Sequence, residues 1–553
     1  MELSQRTTSQ AARAEHPRAC GETWGIQHDD RSSDPAESAD RGMNDTRPHA
    51  STTWVLGPKD CSLPDCYKRI APSVVRLTDD PQSTSRSTLL DFLFDWDRTR
   101  AEGGSNKLTG EARMALSALL GDQSRATRPV IVSACRHVAM ALLTGSQGSI
   151  YWLEIDGRGA TEPDAIWRAW INDEEAIQVA LHEVTVDQDS VVGTAEIRVS
   201  HVSPAVTQLH ALLAATSLVV KALEACRPER PRSIGGSTPD RPLKARPSAL
   251  RVACRLVQRR IKAKLSSELQ GQWIIATARR DSAGLGRSGS LLLEPSAFTW
   301  LDAPADGFIA DPFLQKIGSS TVLFYEDART PSWRGVLKAV SLDSSGHPCG
   351  PPVTILERPH HLSFPNTFYA QGGAEWLYLL PEQAERGNTV LYRSPARALP
   401  SELAFSEYRV LLPDLAGTDP VLHWEPPYWY LFVSDGQYGN HDNNLLLFFS
   451  ERLEGPYAPH PGNPIRLGLR GSRMAGQLFW HNGRLIRPGQ DCTARYGSGV
   501  VLYAVECLRL DDYREAEVST LEPEHFRSGY IGLHTISLGE SLVAIDALRY
   551  AKF

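Results

Sequence analysis

Phe308–Asp327 reads FIADPFLQKIGSSTVLFYED, and its plan returns several times in the second half of the chain. An acid and a proline lead into an apolar strand, a Gly-rich turn follows, and a second apolar strand ends in carboxylates. Asn366–Glu382 (NTFYAQGGAEWLYLLPE) and Asp419–Asp435 (DPVLHWEPPYWYLFVSD) repeat it. Gln477–Asp491 (QLFWHNGRLIRPGQD) is a fourth copy and His534–Asp546 (HTISLGESLVAID) a fifth. The copies start roughly 55 residues apart, in the range where a fixed period signals a propeller or solenoid. Each is a hairpin with alternating apolar positions, which cannot bury its hydrophobic face alone. Five such units closed into a ring would leave no exposed edges. The sequence therefore predicts a five-bladed β-propeller over 271–553, with Trp273–Ala278 pairing with Leu542–Lys552 to lock it.

The chain has 553 residues, too many for one ordinary core. Its 58 basic and 65 acidic residues give a net charge of −7, and the one dense basic run, Arg241–Lys264, reads as a solvated linker helix. That balance argues against a nucleic-acid partner. Nine cysteines lie scattered without a C-x-x-C pair, so neither a disulfide framework nor a zinc site is expected. No apolar run reaches the length of a membrane span, and no hydrophobic signal core opens the chain. The expectation from these features is a cytoplasmic protein with no transmembrane segment, cofactor or metal.

Residues 1–60 are rich in Ser, Arg, Asp, Ala and Pro, and are expected to be disordered. From 70 to 227 the texture is α/β. Val74–Leu77, Leu89–Phe94, Val130–Ser133, Ser149–Leu153, Ile177–Glu183 and Gly193–Ser200 read as strands, and Gly110–Leu120 and Ala205–Cys226 as helices. Residues 228–270 are a Pro/Arg/Ser/Gly linker followed by a basic helix over Ser248–Leu269. The fold class is thus mixed: an N-terminal α/β domain, then an all-β propeller.

ADPF at Ala310, RPHHLSFP at Arg358, YLLPE at Tyr378 and GRLIRPGQDCTARYG at Gly483 carry a resemblance to a known family. This half resembles the N-terminal propeller of plant glucosamine inositolphosphorylceramide transferases and their bacterial relatives, a propeller similar to that of five-bladed furanosidases. The resemblance implies sugar-related work. In such propellers, carboxylates at inner-strand starts meet in a central funnel, where glycoside hydrolysis needs one acid and one base or nucleophile. Asp311 stands where the base or nucleophile would be, and Asp419 where a helper acid would be. The general acid would fall near Ala475–Gln477, which holds no carboxylate, leaving Glu382 or Asp491 as substitutes. Each of these acids has a plainer reading as a turn or hairpin cap.

Arg487, Gln490, Asp491 and Arg495 form either an internal salt-bridge network or an arginine clamp for an anionic sugar. His534 and Asn366, each opening a copy of the repeat, are further candidates to face the ligand. Glu326–Asp327 are expected to face solvent. Tyr325, Trp376, Trp429 and Trp480 read as packing first and sugar platforms second. His360–His361 and His441–Asp442 come nearest to metal-ligand spacing, but read as loop residues. Gly148–Cys226 resembles a worn formyltransferase domain: Leu153, Glu154 and Ile155 fill the region of the family's histidine, and its aspartate would fall on Asp187 or Asp189. That implies a non-catalytic relic. Two functions remain open, a carbohydrate-active enzyme and a binding module for a sugar, glycan or glycolipid precursor; residual acyl or formyl transfer is a weaker third.

Overall fold

The computed structural model describes residues 53–56, 130–133, 149–159, 164–185, 188–200, 203–225, 253–255, 257–258, 270–283, 293–370, 373–397, 399–436 and 440–551. The expected elements Val74–Leu77, Leu89–Phe94 and Gly110–Leu120 lie outside them, as do 1–52 and most of the linker. All described residues belong to one compact unit, His49–Phe553.

The N-terminal sheet is mixed. Strands β1 (Thr53–Leu56), β2 (Val130–Ser133) and β3 (Ser149–Ile155) run parallel. The short β4 (Arg158–Gly159) folds back on β3, and β5 (Ala176–Val184) and β6 (Asp189–Arg198) extend the sheet antiparallel. β1 is a correction, since Thr53–Leu56 falls inside the segment expected to be disordered. Its TWVL run has strand composition, and β2 supplies a partner 77 residues on. Helices α1 (Asp164–Ile171) and α2 (Pro204–Ala225) cover the sheet. Trp167 and Trp170 of α1 and Ala211, Ala214, Ala215 and Leu218 of α2 pack on Ile155, Leu181 and Ile197. The small alanine face lets α2 approach the strands closely. No described helix is long and apolar enough to cross a membrane.

The C-terminal region is all-β. Five antiparallel sheets follow one another, with first strands Gly307–Ile317, Ser363–Tyr369, Thr418–Glu425, Arg470–Met474 and Ile536–Leu538. These starts track the five copies of the repeat. The fifth sheet takes its third strand, Gln270–Arg279, from the beginning of the region and pairs it with Leu542–Ala551 over ten residues. The pairing expected for Trp273–Ala278 is thereby present.

Each sheet touches the next, and the fifth touches the first. The Ile536 amide donates to Ala475 O at 2.8 Å, and the Leu314 amide donates to Ser537 Oγ at 2.8 Å. The five sheets thus form a closed cycle of neighbours. Because every sheet is covered on both faces, second strands read as apolar runs and not as the expected alternation. Val322, Leu323, Phe324 and Tyr325 are all buried, as are Leu377–Leu380 and Tyr430–Val433. One face of the third sheet joins Phe432, Val421 and Leu447 to the core shared with Phe324 and Leu379, and the other joins Leu431 and Val433 to Leu380 and Leu391.

Phe432 is fully buried in that shared core. Replacing it by Ala is expected to cost about 3–5 kcal/mol in equilibrium urea unfolding. A loss below about 1 kcal/mol would mean that the sheets do not close on one another at this point.

Candidate functional site

The first strands share one backbone device. Asp311, Phe364 and Asp419 each precede a proline and hold φ of +53°, +48° and +47°. At each, the pairing with the second strand slips: between Phe324 and Glu326, between Ser363 and Asn366, and between Thr418 and Val421. Left-handed backbone costs a non-glycine residue roughly 1–2 kcal/mol. The slip frees the amide of each residue, and a carboxylate takes it. The Asp311 amide donates to Asp546 Oδ2 at 2.9 Å, the Phe364 amide to Asp311 Oδ2 at 3.1 Å, and the Asp419 amide to Glu382 Oε2 at 3.2 Å. The fourth sheet slips at the same place, between Arg470 and Met474, and from there Arg473 emerges.

Two charge centres result. In the first, the His534 imidazole lies between Asp311 (Nε2–Oδ1 3.3 Å) and Asp546 (Nδ1–Oδ2 2.8 Å). Thr535 Oγ1 donates to Asp311 Oδ1 at 2.8 Å, and the amides of His534 and Thr535 donate to Asp546 Oδ1 at 3.1 and 2.9 Å. Trp273 stacks on the imidazole at 3.8 Å, and Tyr496 meets its edge at 5.3 Å. Burial alone would lower the His534 pKa, but Asp546 and Asp311 outweigh it and raise it to about 9. Burial pushes Asp311 up to about 6 against the pull of His534. Ligating atoms of Asp311, His534 and Asp546 lie within 4.8 Å of one another, the spacing of a metal site. Here the imidazolium itself supplies the positive charge, and every carboxylate oxygen already accepts a donor.

The second centre is Arg473. Its Nε donates to Asp419 Oδ2 at 2.6 Å, Nη2 reaches Glu382 Oε2 at 3.4 Å, and Nη1 reaches Asp442 Oδ1 at 3.3 Å. The guanidinium also sits over the Tyr496 ring, 4.7 Å from its centre. Gln490 Nε2 donates to Asp419 Oδ2 at 2.7 Å, and Gln477 Nε2 to Asn366 Oδ1 at 2.7 Å. Burial pushes Asp419 up to about 8 although Arg473 opposes it, with Glu382 adding to the rise.

Of the residues singled out in the sequence, Asp311, Asp419, Glu382, Gln490, His534 and Asn366 are brought to these two centres. Three are not. Arg487 is fully buried and grips Glu515 with Nε and Nη2 at 2.6 and 2.7 Å. Asp491 pairs with Arg470 and accepts the Thr493 amide and hydroxyl. Arg495 is exposed, and its Nη1 donates to Ile531 O at 3.0 Å. The arginine clamp is corrected: Arg487 and Asp491 hold the fourth sheet together.

Glu326 and Asp327 are buried, not solvent-facing. Glu326 meets His361 Nε2 at 3.1 Å, and Asp327 meets Arg329 and Lys338. His360 turns instead to Gln383 Oε1 at 3.3 Å, so the two histidines do not converge. Tyr325 and Trp429 are buried packing, while Trp480 is exposed.

Arg473, Tyr496, Asp546, Thr535, Gln477 and Trp273 are the site residues that sequence reasoning missed. Two signals for them were present. Arg473 lies two residues ahead of the Ala475–Gln477 stretch searched for an acid, and Asp546 closes the fifth copy of the repeat.

The family comparison bears on this region. Residues 297–536 match the family model described as glucosamine inositolphosphorylceramide transferase 1, N-terminal.

The C-terminal region carries that domain.

The chain is 31% identical over 282 residues to glucosamine inositolphosphorylceramide transferase 1 of Arabidopsis thaliana, covering 49% of this chain and 36% of the relative. To the protein of that name from Oryza sativa subsp. japonica it is 32% identical over 216 residues, covering 38% and 28%. The chain thus spans about a third of the length of these curated relatives. Among solved structures, the catalytic domain of an α-L-arabinofuranosidase from Coprinopsis cinerea aligns at 13% identity and TM-score 0.33, covering 44% of this chain and 92% of that one. A family 117 glycoside hydrolase from Zobellia galactanivorans aligns at 12% and 0.30, covering 45% and 87%.

One expectation is corrected. The relatives are glucosamine inositolphosphorylceramide transferases, and that relationship stands against the cytoplasmic location expected from the sequence. The formyltransferase resemblance of Gly148–Cys226 finds no support in the family match, which covers 297–536. In that layer Asp189 instead accepts Trp152 Nε1 at 3.2 Å and faces His182 Nδ1 at 3.1 Å.

The ion pairs of His534 make a pH prediction. Its folded pKa is about 9, against 6.5 in the unfolded chain. Its contribution to stability is whole below the unfolded value and is lost as pH rises through the folded one. The melting temperature is expected to fall between about pH 7 and 10, with a shallower fall in His534→Gln. Equal slopes in the two proteins would show that His534 is not held as a cation.

Proposed function

We propose that the five sheets are the blades of a propeller whose funnel binds a hydroxyl-rich sugar or glycoconjugate and does not hydrolyse it. The observation that supports this most directly is Arg473. It emerges in the fourth sheet, near the position expected to supply the proton donor, and is ion-paired to Asp419, the expected helper acid. Asp311 is equally engaged, with one oxygen on Thr535 and His534 and the other on the Phe364 amide. Glycoside hydrolysis needs a carboxylic acid and a facing carboxylate free to act on the substrate. Here the two central aspartates hold protein donors.

Around the centre stand five carboxylates (Asp311, Asp546, Asp419, Glu382 and Asp442) and three cations (Arg473, His534 and, behind Asp442, Arg198). That excess of acceptors suits hydroxyl and amine donors and repels a phosphate or uronate. The ligand class is therefore a neutral or amine-bearing sugar, and the anionic sugar of the clamp reading is set aside. The resemblance to transferases named for a sugar and a glycolipid precursor supports a carbohydrate-related role. It also fits the glycosyl part of such a molecule better than its phosphate.

A second reading, sugar processing, is favoured by one observation. Asp419 and Asp311, pushed up to about 8 and about 6, hold protons unusually high for carboxyls. A general acid working near neutral pH needs that property.

One experiment separates the two readings. The full chain is screened by thermal shift against glucose, galactose, arabinose, glucosamine, glucuronic acid and glucose 1-phosphate, and each sugar is then recovered after incubation. A methyl arabinofuranoside and a methyl galactoside, which carry a cleavable bond, go through the same recovery. The expected result is a rise in melting temperature with a neutral or amino sugar, no rise with the two anionic ones, and recovery unchanged. Cleavage that disappears in Asp419→Asn would replace binding by catalysis. No rise with any sugar would sink the funnel reading.

A further inference from the structure

We propose that the N-terminal α/β layer is a working part of the funnel, and that Arg198 is a positioning residue for Arg473 and Tyr496. Arg198 is the last residue of β6, and its guanidinium leaves the layer in two directions. Nη1 donates to Asp442 Oδ2 at 3.0 Å, and Nη2 donates to the carbonyl of Cys492.

Each arm reaches a member of the second charge centre at one remove. Asp442 holds Arg198 with one carboxylate oxygen and Arg473 with the other. Cys492 begins the short loop that carries Tyr496, whose ring lies under the Arg473 guanidinium and against His534. Arg198 thus steadies Arg473 from two sides without touching it.

The electrostatics explain why a second cation is needed. Arg473 is shared among Asp419, Glu382 and Asp442. With Arg198 in place, Asp442 is already compensated and makes only a 3.3 Å contact to Arg473, which sits tightly on Asp419 at 2.6 Å. Without Arg198, an uncompensated Asp442 would draw Arg473 toward itself and loosen the Asp419 pair. Arginine suits this place, because its planar fork is pre-organised to serve a carboxylate and a carbonyl at once.

The layer is also fastened to this side of the ring elsewhere. Asn443 Nδ2 donates to Glu196 O at 3.4 Å, Lys221 Nζ donates to Pro464 O at 3.0 Å, and Leu467 packs against the core of the layer. A relic scaffold would not require that Arg198 reach from the layer to the second charge centre.

The test needs no sugar, so it succeeds or fails independently of the binding reading. The full chain and its Arg198→Ala, Arg198→Lys and Asp442→Asn variants are treated with phenylglyoxal, and labelling of Arg473 is followed by peptide mass spectrometry. Arg487, buried on Glu515, is the internal control. In Arg198→Ala, Arg473 is expected to label about tenfold faster, the effect of losing one charge-assisted hydrogen bond. Arg198→Lys, which keeps the carboxylate arm but not the fork, should fall between. Arg198→Lys keeps the test decisive if Arg198→Ala does not fold, and Asp442→Asn, which removes the acid that would compete with Asp419, should speed labelling less than Arg198→Ala does. Labelling of Arg473 at the parental rate in a folded Arg198 variant would overturn the proposal. So would equal acceleration at Arg487, which would mean general loosening of the fourth sheet.

Discussion

A carboxylate buried at a sheet junction, accepting a backbone amide that a β-slip has set free, is the interaction on which the ring depends. Asp546 of the fifth sheet holds the Asp311 amide of the first, Asp311 holds the Phe364 amide of the second, and Glu382 holds the Asp419 amide of the third. From the third to the fourth sheet side chains take over, with Arg473 on Asp419. From the fourth to the fifth a backbone bond closes the cycle, Ile536 to Ala475. Apolar burial supplies most of the driving force for folding but has no direction. These directional bonds set how each sheet meets the next.

The same bonds constrain function. A buried carboxylate without a partner is strongly destabilising, so each acid in the funnel is matched to a donor. Asp311 and Asp546 share His534; Asp419, Glu382 and Asp442 share Arg473. Matching of this kind leaves lone pairs for hydroxyl donors while tying up the acids that bond cleavage would require. In the proposed reading, the two charge centres form a recognition surface held rigid by its own charges.

Much of the fold was legible because it is written as a repeat. Asp-Pro at 311 and 419, and Phe-Pro at 364, mark the slips, and the carboxylates at 326, 382, 435, 491 and 546 recur within or just after the second strands. The site was legible where it coincides with those positions, at Asp311, Glu382, Asp419 and His534. Arg473 is not at a position that the repeat makes acidic, so a search for a carboxylate passed over it. Arg487 and Asp491 failed as site residues for a different reason. Their partners, Glu515 and Arg470, lie 28 and 21 residues away in sequence, Glu515 two strands over in the fourth sheet and Arg470 on the adjacent strand. Strand pairing, not proximity along one segment, decides where such side chains are satisfied. Thr53–Leu56 shows the same limit, since its strand exists only through a partner 77 residues later.

The measurement that goes most directly to this account is a double-mutant cycle between Asp311 and His534, read by equilibrium urea unfolding of Asp311→Asn, His534→Gln and the pair. A buried ion pair that fastens the fifth sheet to the first predicts single losses of about 3–5 kcal/mol and a coupling energy above about 1 kcal/mol. Small, additive losses would contradict it, and would mean that the ring is held by apolar packing alone.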